Sequence, residues 1–135
     1  MDVSFVVLAY LVGMAVDWIL QLDWQATNKS RWSKNDHKWV STAAVVSHSF
    51  VYALVTTLVV VLLLNLIPEF WLLFLTFFLT HTVIDTRIPV KWIMKHIKRM
   101  SDKQITDYKN YGFMHIGIDH RLHELVIVVL GFIVT

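Results

Sequence analysis

A long apolar segment ends in two ionisable side chains, since residues 71–85 read WLLFLTFFLTHTVID. His81 and Asp85 are four residues apart, so a helix places them on one face, about one turn from each other. The apolar part is typical of a membrane span, in which an imidazole and a carboxylate are costly. The two side chains therefore predict a functional site whose other members come from other spans.

The composition favours a membrane protein over a soluble domain. The chain has 135 residues, of which 56% are hydrophobic and 16% are charged. A soluble domain of this length has too little interior for so many apolar side chains, whereas runs of about 20 apolar residues match the thickness of a bilayer. The sequence contains no cysteine, which excludes disulfides and thiolate metal sites.

We predict an all-α integral membrane protein, a four-helix bundle that forms one domain. The predicted spans cover about residues 3–22, 43–66, 69–88 and 113–135. Loops 23–42 and 89–112 join them on one side of the membrane, and a tight turn at Asn65 and Pro68 joins spans two and three. The first span lacks a cleavage signal and is expected to be retained. Pro89 is expected to end or kink the third span.

The second loop is expected to contain two short helices. Trp92, Ile93, Ile97 and Met100 repeat at helical spacing among lysines, which predicts a basic amphipathic helix in the headgroup plane between spans three and four. Ser101 with Gln104 matches a capping box that opens the second helix.

The basic residues predict the orientation of the four spans. Of the 12 Lys and Arg, four lie in the first loop and seven lie between Arg87 and residue 112. The positive-inside rule makes both loops cytoplasmic, so both termini are expected outside.

This topology brings six ionisable side chains to one depth near the cytoplasmic surface. They are Asp17, His48, His81, Asp85, Asp119 and His123. Carboxylates and imidazoles suit zinc, manganese or iron, so the layer predicts a site for one or two divalent ions, with zinc preferred. Some of these carboxylates could instead orient the histidines. The remaining alternative is that the polar layer only joins the helices by hydrogen bonds.

The sequence also suggests roles for individual carboxylates of this layer and for the polar residues beside it. Asp17 and Asp119 are the predicted catalytic carboxylates in addition to their roles as ligands, and Gln21, Asn28 and Lys29 are predicted to bind substrate at the cytoplasmic mouth. His120 lies beside the ligand face of span four: it could line the mouth of the pocket, and packing at the surface is the favoured interpretation.

These motifs resemble the bacterial and phage membrane family called domain of unknown function 3307. The resemblance rests on Asp17 and Gln21 with Asn28-Lys29 downstream, on His48, on His81 with Asp85, and on Asp119-His120-Arg121-Leu122-His123. It covers nearly the whole chain and implies a location in the bacterial inner membrane. Two positions depart from the family pattern: Gly13 stands where members often have histidine, and His120 replaces a glutamine. The loss of a histidine at Gly13 leaves the number of metal ions open.

The motif style is similar to that of membrane-bound metal-dependent hydrolases. We therefore predict a hydrolase that acts on a lipid headgroup or another amphiphile. The alternatives are a metal or proton transporter, or a metal-stabilised membrane module that interacts with a phage or host partner. Membrane lipid is the expected partner, a homo-oligomer is an alternative assembly, and nucleic acid is not expected because the basic charge is spread thinly along the membrane edge.

Overall fold

The computed structural model describes residues 1–29 and 38–134, and this part of the chain is all helical. In chain order the helices are α1 (Val3–Ile19), α2 (Asp23–Asn28), α3 (Lys38–Leu64), a 3₁₀ turn (Ile67–Glu69), α4 (Phe70–Asp85), α5 (Ile88–His96), α6 (Asp102–Thr106) and α7 (Tyr108–Ile133). The prediction of an all-α fold is confirmed. Within the predicted loop 23–42, residues 30–37 lie outside the described residues.

Four long helices form a closed ring. Helix α1 packs on α3, α3 on α4, α4 on α7, and α7 on α1. The C-terminal ends of α1 and α4 meet the N-terminal halves of α3 and α7, so neighbouring helices in the ring run antiparallel. This arrangement is that of an up-down four-helix bundle, whose interior can hold inward-pointing ligands.

Apolar side chains fill the bundle interior away from the predicted metal layer. The buried residues there include Phe5, Ala9, Val60, Leu73, Phe77 and Leu130. Tyr52 belongs to the same cluster and lies where it meets the ionisable side chains. The core therefore closes one half of the bundle and leaves the polar residues in the other half.

The helix boundaries differ from the predicted spans by a few residues. Helix α1 ends at Ile19, three residues before the predicted end, whereas α3 and α7 each begin five residues before the predicted start. Helix α4 ends at Asp85 because Arg87 adopts a left-handed backbone conformation, with φ of 58°. Pro89 therefore neither ends nor kinks α4, and it lies in the first turn of α5, where its missing N–H costs little. Between α3 and the 3₁₀ turn that leads into α4, Asn65 has φ of 55°, a left-handed value typical of tight turns.

Both predicted helices of the second loop are present. The Ser101 hydroxyl accepts a hydrogen bond from the backbone N–H of Gln104. In return, the side-chain oxygen of Gln104 accepts from the backbone N–H of Ser101 at 2.9 Å, which confirms the capping box. Helix α5 has two apolar faces instead of one. Val90 and Met94 pack inward against Ile105, while Trp92 and Ile97 are exposed.

Two of the four predicted spans meet a simple length and hydropathy criterion in the described part of the chain. They are α3 and the segment Ile67–Asp85 that contains α4. Helix α1 has 17 residues and is about 26 Å long, short of the ~30 Å hydrocarbon layer. Helix α7 has 26 residues, but the ionisable side chains in its first half reduce its hydropathy. By this criterion the four-span prediction is supported for two helices only.

Two of the three glycines in helix α7, Gly117 and Gly131, respond differently to the same substitution. A Cβ at Gly131 would overlap the Cγ2 atom of Val6 on α1, whereas a Cβ at Gly117 would meet nothing within 4 Å. We expect Gly131→Ala to lower the free energy of unfolding by about 1–3 kcal/mol through overpacking. Gly117→Ala should leave it unchanged or raise it by about 0.5–1 kcal/mol, because alanine favours the helix. Thermal unfolding in one detergent compares the two variants, and equal transition temperatures would contradict the close packing of α1 on α7.

Candidate metal centre

Three helices bring two carboxylates and two imidazoles to one point. Asp17 lies near the end of α1, His48 is in the first half of α3, and His81 and Asp85 are in the last turns of α4. His48, His81 and Asp85 are 1–2% exposed. The helical spacing of His81 and Asp85 works as predicted, since the Nε2 atom of His81 lies 3.5 Å from Oδ2 of Asp85.

One side-chain atom from each of these four residues forms a quadrilateral. The lengths of its four sides are close to the separations between ligand atoms that share a metal ion. Nε2 of His48 lies 2.9 Å from Oδ1 of Asp17 and 3.6 Å from Oδ2 of Asp85. Nε2 of His81 lies 3.9 Å from Oδ1 of Asp17 and 3.5 Å from Oδ2 of Asp85. Four ligands at about 2.0–2.1 Å from a tetrahedral zinc ion are separated by about 3.3 Å. The four observed separations bracket this value. The ligand atoms that all lie within 4.8 Å of one another form two overlapping groups, Asp17 with His48 and His81, and His81 with Asp85 and His123, and either group fits a divalent ion.

Several buried polar atoms in and beside this group of side chains have no hydrogen-bond partner among the described residues. Among the described residues they include both ring nitrogens of His81, Oδ2 of Asp85 and Nε2 of His123. Buried polar atoms are nearly always paired, and an exception requires an explanation such as an ion. The predicted ligands therefore fit a metal by the chemistry of their donor atoms as well as by their separations.

The two predicted ligands from α7 have different positions. His123 joins the cluster: its Nε2 atom lies 3.9 Å from Oδ1 of Asp85, and its ring stacks on His81 with centroids 4.3 Å apart. Asp119 is buried but belongs to neither of the groups whose ligand atoms lie within 4.8 Å of one another. Its Oδ1 atom has no hydrogen-bond partner among the described residues. The structure thus brings together five of the six predicted ligands, with Asp119 beside them.

Lys29 places a positive charge against the cluster. Its Nζ atom lies 3.4 Å from each oxygen of Asp85, and the residue is 8% exposed. A buried carboxylate needs such a partner, because removing it from water costs several kcal/mol. Lys29 was predicted to bind substrate, and the structure adds this ion pair with Asp85.

Tyr52 completes one wall of the site. Its ring stacks on the ring of His81, with centroids 3.8 Å apart and an interplanar angle of 20°. A Cβ at Gly13 would lie 2.6 Å from the Tyr52 hydroxyl, so the glycine makes room for it. A histidine at position 13, as in the resembling family, would not fit beside Tyr52 in this arrangement.

An open cleft of about 280 Å³ adjoins the cluster. Its walls contain Asp17, Trp18, Gln21, Ala26, Lys29, Arg87, Ile116, Asp119 and His120. Gln21 also approaches His48, with its Nε2 atom 3.2 Å from Nε2 of that ring. Asn28 does not line the cleft, and its amide donates to the Trp24 carbonyl at 2.8 Å. His120 lines the cleft, so its interpretation as a packed surface residue is incomplete.

Sequence reasoning missed Tyr52 and Arg87. Tyr52 follows His48 by four residues and therefore shares its helix face, a signal that could have been used. Arg87 was assigned only to the topology count, because nothing in the sequence marks a left-handed residue between α4 and α5.

No protein-family model, curated protein or solved structure matches this chain.

We expect the purified protein to hold about one equivalent of zinc, manganese or iron, and His81→Ala to lose it. His81 belongs to both three-residue ligand groups, so its removal takes a ligand from either possible site and weakens metal binding. His96→Ala is the matched control, because His96 is exposed on α5 and far from the cluster in the chain. Elemental analysis measures the metal content, and equal metal in the two variants would show that His81 is not a ligand.

Proposed function

We propose that this protein is a membrane-embedded, metal-dependent hydrolase that acts on a lipid headgroup or a similar amphiphile. The observation that carries the proposal is the position of the candidate metal ligands beside the open cleft, which is lined by the ligand Asp17 and by Lys29, the partner of Asp85. A buried site for a divalent ion that opens into a polar cleft is suited to hydrolysis. When bound, the ion would lower the pKa of a water and polarise an acyl or phosphoryl oxygen.

The exposed surface supports a membrane location. Large apolar side chains cover the outside of the bundle, and examples with more than 60% exposure are Leu62, Leu63, Trp71 and Phe132. Only 22% of the apolar window around α4 is buried inside the protein. Soluble proteins rarely expose so much contiguous apolar surface. We propose four spans, made by α1, α3, α4 and α7, in a bacterial inner membrane, with basic loops cytoplasmic and both termini outside.

The chain's own residues would perform distinct tasks. Asp17, His48 and His81 would hold one ion, and His81 with Asp85 and His123 forms the second, overlapping group that could hold an ion. Asp119 faces the cleft with a buried oxygen that has no hydrogen-bond partner among the described residues, so it is suited to accept a proton from water there. Gln21 and Lys29 would position the substrate at the same wall.

The bundle interior favours a hydrolase over a carrier. Beyond Tyr52, the buried described residues include two threonines, Thr56 and Thr57, but no ionisable side chain. Phe5, Leu73 and Phe77 fill this half of the bundle. Ions or protons that cross a membrane need a continuous series of polar groups, and beyond the cluster the described part of the chain offers only the hydroxyls of Thr56 and Thr57 before the buried oxygen of Glu69 at the start of α4.

Membership of the family called domain of unknown function 3307 is likewise a proposal. The order and spacing of the four motifs support it.

Asp119→Asn separates catalysis from metal binding. We expect this variant to keep its metal, because Asp119 lies outside both ligand groups, and to lose turnover by about 100-fold or more through loss of a general base. Asp102→Asn, on the exposed α6, is the control for the same chemical change.

The assay follows product formation by mass spectrometry from phosphoester and carboxylic-ester lipids in nanodiscs. Metal-loaded wild-type protein that releases no product from either class would reject the hydrolase. Unchanged turnover in Asp119→Asn would reject the role of this carboxylate.

A further inference from the structure

We infer that the cleft beside the metal cluster binds a phosphate group, with the guanidinium of Arg87 and the ammonium of Lys29 as its cationic ligands. The phosphate could belong to an anionic lipid headgroup or be free in solution. This inference rests on the proposed function and narrows its substrate class from esters in general to phosphoesters.

Arg87 is the first observation. It lines the cleft from the junction of α4 and α5, and it forms no ion pair with any residue in the described part of the chain. A planar guanidinium presents several N–H donors that match two phosphate oxygens at once. An arginine that lines a cleft without a carboxylate partner is suited to bind an anion.

Lys29 is the second observation. It touches both the metal cluster, through Asp85, and the cleft. A divalent ion bound at the cluster would neutralise the charge of Asp85. The ion would also repel the ammonium of Lys29 toward the cleft. Lys29 would then face the same space as Arg87.

The charge balance makes anion binding depend on the metal. Three carboxylates surround the cluster and cleft, namely Asp17, Asp85 and Asp119, and two cations, Lys29 and Arg87, oppose them. With neutral histidines these side chains carry one net negative charge, which disfavours phosphate. One bound divalent ion would make the net charge positive and favour phosphate. Phosphate should therefore bind the metal-loaded protein and not the metal-free protein.

The rim of the cleft points to the source of the phosphate. Trp18 and Ile116 line it and are 66% and 49% exposed. Apolar side chains next to the cations could contact the acyl chains of a lipid while its phosphate enters the cleft. A lipid should then bind more tightly than inorganic phosphate.

The test measures binding and not turnover. The full chain, purified in detergent and loaded with one equivalent of zinc, is titrated with inorganic phosphate in a calorimeter and then with short-chain phosphatidic acid. Arg87→Gln is compared with Arg99→Gln, a matched control that removes the same charge from an exposed arginine whose φ is 54°. Circular dichroism and zinc content confirm that each variant is folded, and Arg87→Lys provides a milder change should Arg87→Gln fail to fold.

We expect phosphate to bind zinc-loaded wild type and Arg99→Gln equally, and Arg87→Gln at least about tenfold more weakly, the loss expected for a charged hydrogen bond. Metal-free protein should show no binding. Equal affinity in both arginine variants, or equal binding with and without zinc, would overturn the inference. Tighter binding of phosphatidic acid would identify a lipid as the ligand, whereas equal binding would identify free phosphate.

Failure of the hydrolase and failure of the phosphate site give different results. Zinc-loaded protein that binds phosphate through Arg87 but hydrolyses no lipid keeps this inference and removes the proposed activity. If the protein hydrolyses carboxylic esters but does not bind phosphate, the phosphate site is contradicted and the proposed hydrolase activity is supported. Protein that takes up no zinc fails before phosphate is added, and both proposals then fall.

Discussion

A carboxylate with 1% of its surface exposed needs cationic or hydrogen-bonding partners, because its removal from water costs several kcal/mol. Asp85 meets this requirement with groups from α3, α4 and α7 and with Lys29, which follows the last residue of α2. The ammonium of Lys29 and the ring nitrogens of His48, His81 and His123 all lie within 4 Å of its oxygens. Each of these groups must be held in place by its own helix. The closed ring of four antiparallel helices supplies the positions, and the apolar core beyond Tyr52 keeps water from the far side.

The groups around Asp85 leave the hydrogen-bonding capacity of its Oδ2 atom unsatisfied. The distances from its Oδ2 atom to the imidazoles are 3.5–3.6 Å, longer than a hydrogen bond between nitrogen and oxygen. They are close to the spacing of ligands that share one ion. A structure held together by interhelical hydrogen bonds alone would be expected to shorten these contacts. The spacing and the unpaired atoms therefore favour a shared cation over simple packing.

Much of this arrangement could be predicted from the sequence, since helical spacing and alternating topology are regular. His81 and Asp85 share a face because they are four residues apart, and His48 meets them because α3 begins where α4 ends. Asp119 was placed among the ligands by the same reasoning, but it lies one turn, about 6 Å, before His123 along α7, so it lines the cleft while His123 reaches the cluster. The position of α7 along its axis depends on packing, such as the close approach of Gly131 to Val6, and spacing along the chain does not determine it. The left-handed Arg87 escaped prediction for a similar reason, since the geometry of a two-residue junction depends on the helices that it connects.

The most direct test of the candidate metal centre is visible absorption of the Co²⁺-substituted protein. Four-coordinate Co²⁺ absorbs much more strongly in the visible range than hydrated Co²⁺, so the spectrum reports the coordination geometry. The account predicts intense bands that saturate at one equivalent and are absent from the double variant His48→Ala/Asp85→Ala. A wild-type protein that gives only the weak spectrum of hydrated Co²⁺ would contradict the central claim.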